Sequence, residues 1–146
     1  MRRFLGMALL LGVAAACGGD GGTAPPTDVN LTGSWSVTMS PIKGYGITCQ
    51  VVGLRATIVH TDNDLSGSYT MDDMVCNPGD EHSGQIDGLI VEGTAINGAL
   101  HFHFDAEDFD LHGTVRSANE ARGSYTIVLN LDQSYVFTGT WVARRQ

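Results

Sequence analysis

From residue 31 to the C-terminus, apolar and polar side chains alternate with a period of two residues. Trp35, Val37 and Met39 illustrate the pattern, since they share one face while serine and threonine side chains occupy the other. Successive side chains of an extended chain point to opposite faces, so this alternation is typical of strands that bury one face. No part of this region shows the spacing of three or four residues that marks an amphipathic helix. The pattern predicts an all-β domain over residues 31–146.

Turn residues divide the alternating region into eight segments. Asn97-Gly98 is the clearest turn, because a two-residue hairpin of type I′ needs two residues with positive φ. The predicted strands, each joined to the next by a short connection, are residues 31–39, 47–60, 65–71, 83–96, 99–105, 109–117, 121–131 and 134–143. A meander that closes on itself leaves no exposed sheet edge. We therefore expect an antiparallel, eight-stranded up-and-down β-barrel, with a β-sandwich as the alternative.

Glycine recurs on the apolar face of these strands. The order apolar, polar, Gly, Ser or Thr, bulky occurs in residues 31–35, 65–69, 111–115, 121–125 and 137–141. Glycine weakens a flat strand, but in a strongly coiled strand it permits an inward bend and leaves a gap that a facing aromatic ring can fill. The repeats therefore favour a small, tightly curved barrel.

The opening and closing residues of the domain carry a resemblance to a known group. Gly33-Ser34-Trp35, the eight-strand meander and Arg144-Arg145 after the last strand resemble the calycins, which include lipocalins, fatty-acid-binding proteins and avidins. In that group a first-strand Trp closes the barrel floor and a late basic residue packs over it. The Leu-Thr-Gly-x-Trp opening and the Gly-Ser-Tyr repeats are also similar to small lipocalin-like bacterial lipoproteins. In avidins an Asn ligand stands two residues after the Trp, and because Val37 occupies that position here, the resemblance does not extend to biotin binding.

The N-terminus has the features of an export signal. Met1-Arg2-Arg3 is positively charged, residues 4–13 are apolar, and three alanines precede Cys17. This order is that of a secretory signal peptide, and the apolar run is shorter than the ~20 residues needed to span a bilayer. The small residues before Cys17 resemble the lipobox of bacterial lipoproteins, which implies a diacylglyceryl group on Cys17 and cleavage before it. The alternative is an ordinary signal peptide followed by an incidental cysteine.

These features predict the organisation of the chain. Residues 1–16 are expected to be a lipoprotein signal peptide, and residues 17–30, rich in Gly and Pro, a flexible tether ahead of the β-barrel domain. The expected partner is the membrane, reached through the lipid anchor. Gly18 stands where an Asp would signal inner-membrane retention in some bacteria, which favours the outer membrane.

Cysteine counting agrees with this organisation. Of the three cysteines, lipidation consumes Cys17 and leaves Cys49 and Cys76. Exported proteins fold in an oxidising compartment, so these two are expected to form a disulfide, which would stabilise the fold by roughly 3–4 kcal/mol. A two-cysteine metal site is the alternative, but no CxxC spacing supports it.

Charge and motif content exclude several functions. The chain has 8 basic and 16 acidic residues and a net charge of −8, so it offers no basic surface to nucleic acid. It contains no Gly-x-Ser-x-Gly, phosphate-loop or His-Glu-x-x-His motif. Adjacent acidic residues such as Asp72-Asp73 fall in predicted loops, so they are expected to be solvated surface residues. We expect neither enzymatic activity nor a cofactor.

Histidines on the polar faces of two hairpins suggest a metal site. The Asn97-Gly98 turn would place Thr94 opposite His101 and Glu92 opposite His103, and the next hairpin would place His112 opposite either histidine. Imidazoles and a carboxylate are suitable ligands for Zn²⁺ or Cu²⁺. The alternative is that these polar side chains merely line the wet face of the hairpin. The candidate metal ligands are Glu92, His101, His103 and His112.

Large aromatic side chains on the apolar faces suggest a second site, inside the barrel. An eight-stranded barrel is either just filled by side chains or able to hold one small ligand. The candidate pocket residues are Trp35, Phe102, Phe104, Tyr125, Phe137 and Trp141.

Three functions therefore stand as hypotheses. The first is a lipid-anchored module of the cell envelope that binds a small hydrophobic ligand. The second is a structural or interaction module with a filled core, which contacts proteins through loops such as residues 71–81. The third is a divalent metal-binding protein.

Overall fold

The computed structural model describes residues 26, 28–79, 81–105, 108–130 and 134–146. The predicted signal peptide and the predicted lipidation site Cys17 lie outside these residues. Every regular element in the described part is a strand. It contains no helix long and apolar enough to cross a bilayer.

Eight antiparallel strands close into a barrel, as the alternation predicts. They are β1 (Gly33–Met39), β4 (Arg55–Thr61), β5 (Asp64–Met71), β8 (Ile86–Ile96), β9 (Ala99–Phe104), β10 (Asp108–Ser117), β11 (Glu120–Asn130) and β12 (Ser134–Arg145). Each pairs with the next in this order, and β1 also pairs with β12, so the sheet has no edge. The up-and-down barrel is confirmed, and the β-sandwich alternative is wrong because the two terminal strands are hydrogen-bonded to each other.

A second sheet interrupts the meander at two points, which the sequence analysis did not predict. Its strands, in the order β2-β3-β6-β7, are β2 (Ile42–Gly44), β3 (Ile47–Val52), β6 (Asp73–Asn77) and β7 (Glu81–His82). The chain leaves the barrel after β1, returns as β4, leaves again after β5 and returns as β8. We call these four strands the cover sheet.

Three of the predicted boundaries are therefore wrong. Residues 47–60 are two strands and not one, because Gly53 adopts φ +65° and redirects the chain between the two sheets. A side chain there would also collide with Asp72, whose carboxylate oxygen would lie 2.0 Å from a Cβ on Gly53. The predicted loop 71–81 contains β6, and the strand predicted over 83–96 begins at Ile86.

A disulfide fastens the cover sheet. Cys49 on β3 lies directly opposite Cys76 on β6 and is bonded to it. The pairing expected from cysteine counting is confirmed. The bond joins the two excursions of the chain, so the cover sheet is a covalently closed unit.

Two of the five repeat glycines, Gly113 and Gly139, make room for aromatic rings as predicted. Trp141 lies opposite Gly123 on the neighbouring strand, and a Cβ on Gly113, one strand further, would lie 2.5 Å from its ring. Tyr125 lies opposite Gly139, where a Cβ would lie 2.3 Å from the tyrosine oxygen. Each ring therefore occupies space that a larger residue would need, which packs the interior without widening the barrel.

The two ends of the barrel differ. The turns at 62–63, 97–98 and 118–119 lie at one end, together with the start of β1 and the finish of β12. We call this the closed end, because Trp35 is 1% exposed there and donates its indole N–H to the carbonyl of Leu31 at 2.9 Å. The Arg145 guanidinium lies 4.8 Å from the centre of the Trp35 ring and donates to the carbonyls of Asn30 and Thr32. The opposite end, from which the chain enters the cover sheet, is the sheet end.

Candidate functional site

The interior near the closed end is filled by side chains. The space left among them is about 30 Å³, and its walls include Trp35, Phe102, Phe104 and Trp141. A single water requires roughly 10–15 Å³ of such space and two or more polar partners. At this size and with apolar walls, the gap is packing space between side chains.

A larger cavity of about 210 Å³ lies at the sheet end, between the barrel and the cover sheet. The barrel strands contribute Tyr69, Met71, Ile86, Phe109, Ile127 and Phe137. The remaining walls, from the cover sheet and the link into β4, are Ile42, Ile47, Cys49, Val51, Leu54 and Met74. Since Ile47 is 44% exposed, the cavity reaches the surface beside the cover sheet. We call this space the sheet-end cavity.

A layer of three rings separates the sheet-end cavity from the filled interior. Phe104 is 2% exposed, and its ring centre lies 4.6 Å from that of Tyr69 and 4.9 Å from that of Phe109. Tyr69 and Phe109 face the cavity, whereas Phe104 faces the filled side. Contacts among these rings fix the floor of the cavity, because aromatic pairs at such distances pack with defined geometry.

The six predicted pocket residues are not brought together around one space. Trp35, Phe102, Phe104 and Trp141 surround the 30 Å³ gap, and Phe137 lines the sheet-end cavity. Tyr125 is 1% exposed and donates its hydroxyl to the carbonyl of Ser40 at 3.1 Å. Sequence reasoning missed the cavity walls from β3 and β6, because these residues were placed in a barrel strand and a loop.

The outer edge of the cover sheet is held by one carboxylate. Asp73 accepts hydrogen bonds from the backbone N–H of Met74 at 2.8 Å and of Gly84 at 3.0 Å, and it pairs with the His82 ring. The hydrogen bond from His82 is the main cause that lowers the pKa of Asp73, and the Gly84 and Met74 amides lower it further. The ionised carboxylate therefore ties β6 to β7 and to the segment that follows.

We expect this edge to loosen in acid. A carboxylate whose pKa is lowered by folding contributes stability above its unfolded pKa of about 3.9, and this contribution is lost as the pH falls through the folded value. Protection of the Gly84 amide against hydrogen exchange, corrected for the intrinsic rate and followed by NMR, should therefore fall below about pH 4. In Asp73→Asn the acid-dependent step should disappear, whereas Asp72→Asn should retain it. An identical acid transition in Asp73→Asn would assign the effect to another group.

The polar histidines form a block on the outer face of the barrel. His101 on β9 lies opposite His112 on β10, and His103 lies opposite Asp110, so four side chains occupy adjacent positions. The ring centres of His101 and His112 are 4.5 Å apart and nearly parallel. One oxygen of Asp110 lies 3.0 Å from Nε2 of His101 and 3.0 Å from Nδ1 of His103. We call His101, His103, Asp110 and His112 the histidine block.

The expected ligand Glu92 lies outside the histidine block, and Asp110, which was not among the expected ligands, lies within it. Thr94 lies opposite His101 as predicted, but Val91, and not Glu92, lies opposite His103. A β-bulge between Val91 and Thr94 shifts the register, and Glu92 sits in it with φ +52°. Asp110 supplies the carboxylate instead. Its position two residues before His112 places it on the same face of β10, which is the sequence signal for this carboxylate.

Comparison of the chain with known protein families and with curated proteins finds no match.

Proposed function

We propose that this protein is a lipid-anchored carrier of the bacterial cell envelope that holds one small, neutral, apolar compound, and that it binds this compound without chemical change. The sheet-end cavity, about 210 Å³ in volume, carries the proposal. Its walls come from the barrel and from the disulfide-linked cover sheet, so the site is built by the whole domain.

The volume limits the ligand class. A core cavity of about 150 Å³ is enough to bind benzene, whereas drug-sized ligands occupy roughly 300–1,000 Å³. At about 210 Å³ the sheet-end cavity suits a compound of one or two rings, or a branched hydrocarbon of similar size. A long acyl chain would exceed it.

The charges near the cavity favour a neutral ligand. Burial raises the pKa of Tyr69, and the carboxylates of Asp105 and Asp87 raise it further, so two negative charges act on this wall residue. The same carboxylates would repel the anionic head of a fatty acid. With a net charge of −8 for the whole chain, acidic lipids are poor candidates for this site.

We also propose that this protein is related to the calycins and is one of the lipocalin-like bacterial lipoproteins. It is supported by the closed eight-stranded barrel, by buried Trp35 on the first strand and by Arg145 stacked over that ring. Anchoring through Cys17, with the outer membrane as the location, is supported by the N-terminal pattern. The domain begins at the closed end, so the tether would join the barrel opposite the sheet-end cavity.

Ligand binding is tested with benzene, indole and naphthalene as neutral probes and octanoate as the anionic probe. We expect at least one neutral probe to raise the melting temperature by several degrees at saturating concentration, and octanoate to have little effect. Ile86→Trp, which adds a ring at the cavity wall, should abolish the shift. Leu89→Trp adds the same ring on the same strand at a position that is 56% exposed and should leave the shift intact.

Two outcomes would overturn the proposed function. If no neutral probe stabilises the wild-type protein, the cavity is not a binding site, and the interaction module with a filled core becomes the better hypothesis. If Leu89→Trp and Ile86→Trp reduce the shift equally, the probe binds elsewhere on the surface.

A further inference from the structure

We infer that the outer face of β9 and β10 is a binding site for one divalent transition-metal ion, held by His101, His112 and the carboxylate of Asp110, with His103 positioning that carboxylate. This site is separate from the sheet-end cavity and does not depend on the proposed function. It differs from the site expected from sequence in two respects: Asp110 takes the place of Glu92, and His103 orients the carboxylate and does not bind the ion.

The geometry brings three ligand atoms together. Each of His101, Asp110 and His112 offers one ligand atom. These three atoms all lie within 4.8 Å of one another. In a tetrahedral site with ligands at about 2.0–2.2 Å from the ion, two ligand atoms are roughly 3.3–3.6 Å apart, so the widest pair must approach by about 1 Å through side-chain rotation. The rigid cross-strand pair His101–His112 holds two of the three donors in register.

The fourth member of the histidine block acts through the carboxylate. His103 lies 3.0 Å from the same oxygen of Asp110 that His101 contacts, and it is not among the three converging ligands. A hydrogen bond from a neighbouring group to a ligating carboxylate orients it and is a common feature of metal sites. His103 is therefore a positioning residue.

The histidine block is open to solvent. All four side chains are at least partly exposed, so an ion can reach the site from solvent.

The donor set selects the class of metal. Imidazole nitrogen favours Zn²⁺, Cu²⁺ and Ni²⁺, whereas Mg²⁺ and Ca²⁺ prefer a full set of oxygen ligands. Two imidazoles and one carboxylate leave further coordination positions for water. We expect Zn²⁺ to bind and Cu²⁺ to compete with it more strongly, in line with the general order of affinities.

The test is isothermal titration of Zn²⁺ into the full chain carrying Cys17→Ser, so that this thiol does not contribute. We expect one Zn²⁺ per chain, with no binding of Mg²⁺ under the same conditions. Asp110→Asn and His112→Gln should each weaken Zn²⁺ binding by tenfold or more, since loss of an orienting group alone costs about 10–100-fold. His103→Gln should weaken it while keeping the stoichiometry at one.

His82→Gln is the matched control, because His82 also contacts a carboxylate but lies in the cover sheet. NMR of the wild-type protein provides a readout that does not depend on the folding of variants. Zn²⁺ should shift the ring resonances of His101 and His112 and leave those of His82 and His60 unchanged. Absence of Zn²⁺ binding, equal loss in His82→Gln, or unaffected binding in Asp110→Asn would each overturn the inference.

Discussion

Replacing Trp35 by alanine should lower the free energy of unfolding by about 3–5 kcal/mol, the usual cost of truncating a fully buried tryptophan. The ring is 1% exposed, closes the barrel floor and donates a hydrogen bond to Leu31. Its loss would also remove the surface on which Arg145 rests. Because folded domains are stable by only about 5–15 kcal/mol, this single change should bring the protein close to unfolding. Urea denaturation followed by circular dichroism measures the effect.

Trp35→Phe serves as the control. Phenylalanine retains an aromatic ring beneath Arg145 but not the indole N–H, so we expect a smaller loss than with alanine. A loss of less than about 0.5 kcal/mol in Trp35→Ala, within the range of ordinary surface substitutions, would mean that the closed end does not organise the barrel.

Removing the disulfide should have the second largest effect. Cys49 and Cys76 are 27 residues apart, and releasing a loop of this size should lower the free energy of unfolding by roughly 3–4 kcal/mol through the entropy of the unfolded chain. The double variant Cys49→Ser and Cys76→Ser should show this loss in urea denaturation. Reductant should have the same effect on the wild-type protein and none on the double variant.

The disulfide variant also tests the link between the cover sheet and the sheet-end cavity. Cys49 lines the cavity, and β3 and β6 carry other parts of its wall. We expect stabilisation by the neutral probes to be weaker in the double variant than in the wild-type protein. An unchanged probe effect would show that the barrel walls alone hold the ligand.

Local patterns were sufficient to predict most of the barrel. Strands β1, β5 and β9–β12 lie close to the predicted segments, because alternation is read from neighbouring residues and needs no knowledge of distant contacts. The Asn97-Gly98 turn likewise predicted that Thr94 lies opposite His101. Further from the turn the prediction was wrong, since the bulge at Glu92 depends on how β8 curves against both of its neighbours.

The histidine block was only partly predictable for the same reason. Alternation placed His101, His103 and His112 on one outward face, but the register of β9 against β10 remained open between two values. The structure has His112 opposite His101. A turn of two residues fixes register through its own geometry, whereas the longer connection between β9 and β10 does not.

By itself, the sequence determined an all-β domain, the polarity of each strand face, two glycine positions that accommodate rings and the pairing of Cys49 with Cys76. These properties follow from adjacent residues or from simple counting. Only the tertiary structure decided that the chain leaves the barrel twice to build a cover sheet, and that an unfilled space remains beneath it. The volume of that space depends on how side chains such as Met74 and Ile127, far apart in the chain, approach each other, and no local pattern encodes that distance.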